Sequence, residues 1–245
     1  MAVDFRRDGV RSWIVWDVLS EVVSARVAAT GRPALDIVDV GGGTGGLAVP
    51  FAALGHNVTV VDPSPDALAA AQRRAAEADA RLTSVQGEAA SLDSVVGPDA
   101  ADLVICHNVL EYVEEPADAM SAIARVLRPS ATVSVIASNA VAAVLHRALA
   151  GRFAEARRLL AGTAACTPRR FTLPALITLI EKAGLRAGEA HGLRIFSGLV
   201  PGALLDADAG GTGGSKEALR ALEAAAAAAP PLRDIAAQLH LLGHR

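Results

Sequence analysis

Aromatic residues, cysteines and long apolar stretches are all scarce in this chain of 245 residues. Phe, Trp and Tyr together make up only 3% of it, and the two cysteines, Cys106 and Cys166, form no C-x-x-C pair. The cysteine count argues against both a zinc site and a disulfide framework. No stretch is long and apolar enough to span a bilayer, and the first residues contain no signal peptide. We therefore expect a cytoplasmic chain without a metal or a membrane anchor.

The charge balance restricts the kinds of partner that the chain can bind. Its formal net charge is −3, so the overall electrostatic field does not attract a polyanion. A nucleic-acid partner would have to bind at a local basic patch. Hydrophobic residues make up 52% of the chain, which is enough to bury a full core.

Apolar periodicity alternates between strand-like and helix-like segments along most of the chain, which predicts an α/β fold. We expect a Rossmann-like, mostly parallel, seven-stranded sheet with helices on both faces. A helical cap is predicted over residues 1–35, a cofactor-binding core over 36–138, and substrate-side helices with the final strands of the same domain over 139–245. The predicted strands are 36–40, 58–62, 81–86, 102–107, 132–137, 187–190 and 238–242. The predicted helices are 9–29, 44–54, 65–78, 117–127, 140–150, 152–160, 172–184 and 217–229.

A glycine-rich turn follows the first predicted strand and precedes a predicted helix, which is typical of a nucleotide-binding turn. Gly41, Gly43 and Gly46 match the dinucleotide pattern G-x-G-x-x-G. Asp62, at the end of the second strand, follows Gly41 at the distance expected of an acid that binds ribose hydroxyls. A dinucleotide and a related adenosine cofactor therefore both remain possible from this pattern alone.

A second pattern in the same turn distinguishes between these cofactors. Asp39, Gly41, Gly43 and Gly45 form D-x-G-x-G-x-G, which resembles motif I of the class I S-adenosylmethionine-dependent methyltransferases. Residues 102–113 resemble the fourth-strand segment of that family, and residues 127–131 resemble its Leu-Arg-Pro-Gly-Gly turn with both glycines replaced. The resemblance implies S-adenosyl-L-methionine as the cofactor and methyl transfer as the reaction. We expect altered geometry at the replaced turn.

The resemblance is closer to one group within the family, the bacterial enzymes that methylate the carboxyl of carboxymethoxyuridine in tRNA. Short segments at residues 106–111, 151–153 and 192–196 carry it. It implies tRNA as a partner. The loop at 162–171 and the Gly/Asp-rich linker at 206–214 depart from that group's pattern, so a small-molecule O- or N-methyltransferase remains an alternative. A protein that binds the cofactor without catalysis is a further alternative.

The resemblance also implies roles for individual residues on the cofactor side. Asp39 would order the turn, Asp62 would bind the ribose, and Glu88 with Ala89 would contact the adenine. Arg11 would bind the cofactor carboxylate, although it could equally be a surface arginine. His107, at the end of the fourth strand, would lie beside the methyl donor and contact either the methionine part of the cofactor or the acceptor. It is also the one catalytic candidate, and a merely packed histidine is the alternative.

Basic residues in the second half supply the predicted acceptor contacts. A carboxylate acceptor needs a positive group to hold it, and Arg194 is the candidate because guanidinium groups bind carboxylates with two parallel hydrogen bonds. Arg152, Arg169 and Arg170 are candidate phosphate contacts, unless they form only a solvated basic face. The family resemblance adds Asn139 to the predicted substrate residues.

Overall fold

Seven strands form one sheet in the order β3-β2-β1-β4-β5-β7-β6. The computed structural model describes residues 9–162, 168–200 and 214–245, without the side chains of 9–12 and 214–216. β7 runs antiparallel to β5 and β6, and the other pairings are parallel. The predicted Rossmann-like, mostly parallel sheet is therefore confirmed. The strands are β1 (Asp36–Val40), β2 (Asn57–Asp62), β3 (Leu82–Gln86), β4 (Ala101–His107), β5 (Leu127–Ser138), β6 (Arg186–Leu193) and β7 (Gln238–His244).

Helices cover both faces of this sheet. Apolar side chains of α4, α5 and α8 pack on one face, and those of α1, α2, α3 and α9 pack on the other. The helices are α1 (Gly9–Thr30), α2 (Ala48–Ala53), α3 (Pro65–Glu77), α4 (Leu92–Val96), α5 (Pro116–Val126), α6 (Ala140–Leu149), α7 (Phe153–Leu160), α8 (Leu173–Lys182) and α9 (Gly214–Ala227).

Side chains along the central strands alternate between the two faces of the sheet, and each face forms one hydrophobic core. In β4, Val104 and Cys106 face the core of α5 and α8, whereas Leu103 and Ile105 face the core of α1 and α2. Successive side chains of a strand point to opposite faces, so a strand that is buried on both faces needs a continuous apolar run. Each such side chain contributes roughly 1.5–3 kcal/mol through burial.

Two predicted boundaries differ from the structure for local reasons. The helix predicted from residue 44 begins at Ala48, because the glycine-rich turn before it contains residues with positive φ that cannot continue a helix. β5 begins at Leu127 rather than near residue 132, because Leu127 already pairs with Ala101. Ser130, which replaces a family glycine there, itself takes a left-handed φ of +61°.

An ion network joins α1 to the amino ends of the central strands. The Asp102 carboxylate is 1% exposed and contacts the guanidinium groups of Arg26 at 3.1 Å, Arg32 at 2.8 Å and Arg128 at 2.8 Å. The Asp36 N–H also donates to it at 3.1 Å. No periodicity pattern predicts this network, because its members are far apart in sequence.

The same contacts determine how this network responds to pH. Burial by itself opposes ionisation of Asp102, but the Asp36 N–H and the surrounding arginines outweigh it and lower the pKa of the carboxyl. The stabilisation is therefore complete above the pKa of an unfolded aspartate, about 3.9. It is lost as the pH falls below that value through the lowered folded pKa.

Replacing Asp102 with Asn should lower the free energy of unfolding by about 3–5 kcal/mol, because three guanidinium groups lose a buried counter-charge. Urea unfolding at pH 7, followed by circular dichroism, measures this loss. Asp93→Asn is the control, since Asp93 pairs with Arg125 in an exposed salt bridge and should change stability little. Equal losses in the two variants would contradict the assignment.

Candidate functional site

The glycine-rich turn connects β1 to α2 and brings its backbone close to its neighbours. The Gly41 N–H donates to the Val61 carbonyl at 2.7 Å, which fixes the turn against β2. A Cβ on Gly41 would lie 2.4 Å from Val109 Cγ2, and one on Gly42 would lie 2.6 Å from Asp39 Cγ. Gly41, Gly43 and Gly45 all have positive φ. Glycine is therefore required here both by conformation and by space.

The Asp39 carboxyl packs directly beneath this turn. It is 5% exposed, and its burial, reinforced by the nearby Asp62 carboxylate, raises the pKa of Asp39 to about 7. A carboxyl with such a pKa is partly protonated at neutral pH, when it can donate as well as accept a hydrogen bond. Its position agrees with the predicted ordering role, which stays a prediction.

Asp62 ends β2 and connects the turn to the start of α3. One carboxylate oxygen accepts a hydrogen bond from the Gly43 N–H and the other from the Ser64 N–H, both at 2.9 Å. Each oxygen of an ionised carboxylate has a second acceptor position. Asp62 can therefore hold the turn and bind a diol at the same time.

Two cavities open at the carboxyl ends of the central strands. The first, here called the Asp62 cavity, has a volume of about 540 Å³ and is also lined by Glu88 and Ala89. The second, here called the His107 cavity, has a volume of about 420 Å³ and is also lined by Asp39 and Leu47. Gly41 and Asn108 line both cavities, so the two meet at these residues.

The structure brings together the residues predicted to surround an adenosine. Asp62, Glu88 and Ala89 come from the ends of β2 and β3, which are neighbours in the sheet. Glu88 is exposed and Ala89 is 5% exposed. An adenine there would meet a buried methyl group beside an accessible carboxylate. These roles stay predictions.

His107 ends β4 and is hydrogen-bonded through a serine to a second histidine. Its Nε2 lies 2.7 Å from Ser134 Oγ, which in turn lies 2.8 Å from His240 Nε2. His240 is completely buried, and this burial, with a smaller effect of His191, lowers its pKa to about 3. His107 therefore bonds through Ser134 to a permanently neutral histidine. Nothing in the sequence pattern indicated Ser134 or His240.

Arg147, Arg170 and Arg194 lie around His146 and are here called the basic cluster. Burial lowers the pKa of His146, and the charges of Arg194, Arg170 and Arg147 lower it further. Arg194 is exposed and directly follows β6, whose carboxyl end lies at the same edge of the sheet as that of β5. The predicted Arg194 is thus close to Arg170, whereas Arg147 was not predicted.

Asn139, a predicted substrate contact, is bonded within the protein. Its Nδ2 donates to the carbonyls of Asp234 and Ala236, both at 2.8 Å, and its Oδ1 accepts from the Val141 N–H. The residue is 1% exposed. Its carboxamide caps α6 and bonds to three backbone groups. The predicted substrate role stays a prediction.

Three predicted residues remain. Arg152 and Arg169 are not among the residues that line the two cavities, and the side chain of Arg11 is outside the described part of the chain. Arg152 is exposed and donates to Glu155 at 2.7 Å, and Glu155 also contacts Arg147 of the basic cluster. Arg169 donates to the Glu114 carbonyl. Arg11 lies within α1, but its side chain is outside the described part of the chain, as are residues 163–167 of the predicted loop and the linker at 206–213.

The described residues contain neither a metal-binding group nor a membrane-spanning helix. Within 9–162, 168–200 and 214–245, no three His, Cys, Asp or Glu side chains form a group that would bind a metal ion. Across those same ranges, no helix combines the length and the apolar character needed to cross a membrane.

Comparisons with known proteins point to one enzyme family. A family model described as a methyltransferase domain matches residues 38–135. The chain is 32% identical over 146 residues to the tRNA 5-carboxymethoxyuridine methyltransferase of Escherichia coli, covering 59% of this chain and 54% of that protein. It is also 32% identical over 178 residues to a ubiquinone biosynthesis O-methyltransferase of Xanthomonas euvesicatoria, covering 71% of this chain and 70% of that protein.

Solved structures support the fold. Magnesium protoporphyrin IX methyltransferase from Synechocystis, solved with bound S-adenosylhomocysteine, matches with a TM-score of 0.58 and 17% identity over 92% of this chain and 82% of that one. At this identity the likeness concerns the fold alone. The chain spans about half the length of several of the curated relatives that it matches.

Replacing Asp62 with Asn should weaken binding of S-adenosylhomocysteine about 10- to 100-fold, because a carboxylate that accepts hydrogen bonds from a diol is lost. Isothermal titration calorimetry measures the affinity. Asp66→Asn removes the same charge from an exposed position in the first turn of α3 and should leave binding unchanged. An unaltered affinity in D62N would show that the cofactor site lies elsewhere.

His240 should make the stability of the fold pH-dependent. The unfolded chain binds a proton at this histidine below about pH 6.5, whereas the folded chain does not until near pH 3. The free energy of unfolding should therefore fall by about 2 kcal/mol more in the wild type than in H240Q between pH 7 and pH 5. Urea unfolding at both pH values tests this, and parallel curves for the two proteins would refute it.

Proposed function

The chain belongs to the class I S-adenosylmethionine-dependent methyltransferases, and on that premise we propose that it methylates a carboxylate, with carboxymethoxyuridine in tRNA as the acceptor. The predictions of this family and of its cofactor are confirmed by the match to the methyltransferase domain, by a relative of which the chain covers 70%, and by a neighbouring structure with bound S-adenosylhomocysteine. The identity of the methyl acceptor is what we propose here. The basic cluster of Arg147, Arg170 and Arg194 is the observation that carries it.

The two cavities suit the two halves of S-adenosylmethionine. The ribose hydroxyls would bind Asp62, and the adenine would lie beside Glu88 and Ala89 in the Asp62 cavity. The methionine portion would pass Gly41 toward the His107 cavity, over the buried Asp39. The sulfonium then lies where the cavities meet, since it joins both halves.

Local charge on the acceptor side favours an anionic substrate. Three arginines lie close enough to His146 to lower its pKa, in a chain whose overall net charge is negative. Guanidinium groups bind carboxylates and phosphates with two parallel hydrogen bonds. A nucleotide that carries a carboxylate beside its backbone phosphates presents both kinds of group.

The transfer to a carboxylate is chemically simple. A lone pair of the carboxylate oxygen forms the new O–CH₃ bond while the S–CH₃ bond breaks and its electron pair returns to sulfur. The products are a methyl ester and neutral S-adenosylhomocysteine. Because the acceptor is already ionised, no general base is required, and alignment of the reactants contributes on the order of 7–11 kcal/mol.

A second candidate function is O-methylation of a small phenol. The similarity to a ubiquinone biosynthesis O-methyltransferase favours it, because this chain covers 70% of that protein. A phenol must lose its proton before or during transfer, so this reaction would need a base. His107 is the residue positioned for that role, through its bond to Ser134.

Deleting the gene should remove the methyl ester of carboxymethoxyuridine from tRNA and leave the free acid in its place. Mass spectrometry of digested tRNA from the deletion and parent strains measures both forms. An unchanged profile, in a parent that contains the ester, would exclude this acceptor. It would direct the search to phenols.

Replacing Arg194 with Ala should raise the KM for the tRNA acceptor about tenfold, because a charged hydrogen bond to the acceptor is lost. Turnover at saturating acceptor should change much less. Steady-state kinetics with tRNA from the deletion strain provide the measurement. Arg81→Ala is the matched control, because Arg81 is exposed and precedes β3 at the opposite edge of the sheet. Equal KM values in both variants would remove Arg194 from the site.

A further inference from the structure

Asn108 is the first residue after β4 and lies where the Asp62 and His107 cavities meet. Its φ of +56° is in the left-handed region, which costs free energy for most residues and is tolerated best by glycine and asparagine. Its Oδ1 accepts a hydrogen bond from Nε2 of Gln238, the first residue of β7. The left-handed backbone and the bond from Gln238 thus fix the Asn108 side chain where the two cavities meet.

The orientation of the two amides follows from what each arrangement leaves unpaired. In the observed one, Gln238 Oε1 is a buried acceptor with no partner among the described residues. Reversing both amides would instead bury N–H donors without an acceptor, and unpaired buried donors are the rarer case in proteins. The Asn108 oxygen therefore faces Gln238.

The Asn108 nitrogen is consequently the free end of a side chain that lines both cavities. No residue in the described part of the chain accepts a hydrogen bond from Asn108 Nδ2. Two N–H donors are thus available at the point where the proposed function puts the sulfonium. A reacting oxygen must come within about 3–3.5 Å of the methyl carbon, so it must also lie close to Asn108.

We propose that Asn108 Nδ2 donates a hydrogen bond to the acceptor carboxylate and orients it toward the methyl group, with Gln238 as the positioning residue. This inference rests on the proposed function and extends it to the choice of acceptor. One carboxylate oxygen accepts from Nδ2 while the other attacks the methyl carbon. An amide nitrogen offers only donors, so an anionic acceptor is favoured over an amine.

Two substitutions of Asn108 distinguish the effect of the Nδ2 donors from the effect of the left-handed backbone conformation. Asn108→Asp keeps the shape and the bond from Gln238 but puts a negative charge where the donors were, so the acceptor KM should rise about 100-fold. Asn108→Gly keeps the left-handed φ without strain and removes the amide, so KM should rise about tenfold. In both variants, the affinity for S-adenosylhomocysteine should stay within about threefold of wild type. An acceptor KM in N108D no higher than in N108G would overturn the proposal.

Gln238→Glu tests the positioning residue. The new carboxylate would attract the Asn108 nitrogen and turn its oxygen toward the cavities. The acceptor KM should then rise about tenfold while cofactor affinity and the free energy of unfolding stay near wild type. A purely structural role would lower stability instead and leave the acceptor KM alone.

A binding measurement distinguishes failure of this proposal from failure of the proposed function. The nucleoside 5-carboxymethoxyuridine and its carboxamide analogue are titrated into protein loaded with S-adenosylhomocysteine. Wild type should prefer the acid about tenfold, and N108D should lose that preference. If this result appears but tRNA is not methylated, the tRNA function is wrong and the role of Asn108 stands. If wild type shows no preference for the acid, or N108D keeps it, the role of Asn108 is wrong.

Discussion

The candidate site depends on the hydrogen bonds that the Asp62 carboxylate accepts. This carboxylate accepts hydrogen bonds from the Gly43 and Ser64 N–H groups, and so connects the turn after β1 to the turn after β2. With the bond from the Gly41 N–H to the Val61 carbonyl, it fixes the floor of both cavities. The turn beside the two cavities is therefore held by backbone N–H groups bonded to one carboxylate and one carbonyl.

Charges of opposite sign occupy the two halves of the carboxyl edge. Acidic side chains, Asp39, Asp62 and Glu88, lie on the half formed by β1, β2 and β3. Arginines 147, 170 and 194 lie on the other half, around His146. This division suits a cationic methyl donor with ribose hydroxyls on one side and an anionic acceptor on the other.

Sequence patterns predicted the strands and the cofactor turn well because both depend on residues close together in the chain. β1 was predicted at residues 36–40 and is found there, and Asp62 follows at the expected distance. Long-range contacts account for what the patterns did not indicate. Asn139 is held by the carbonyls of Asp234 and Ala236, and Asn108 is oriented by Gln238, 130 residues further on. No local pattern indicates such partners.

The position of β7 has a consequence for the order in which the sheet is completed. Among the described strands, β6 pairs only with β7, which is made about 50 residues later and inserts between β5 and β6. During synthesis, β6 thus remains without a neighbouring strand until residues 238–244 have left the ribosome. The cofactor half, built from consecutive strands, has all its pairings available much earlier. A nascent chain would therefore complete the half of the sheet that contains the glycine-rich turn before the half that contains Arg194.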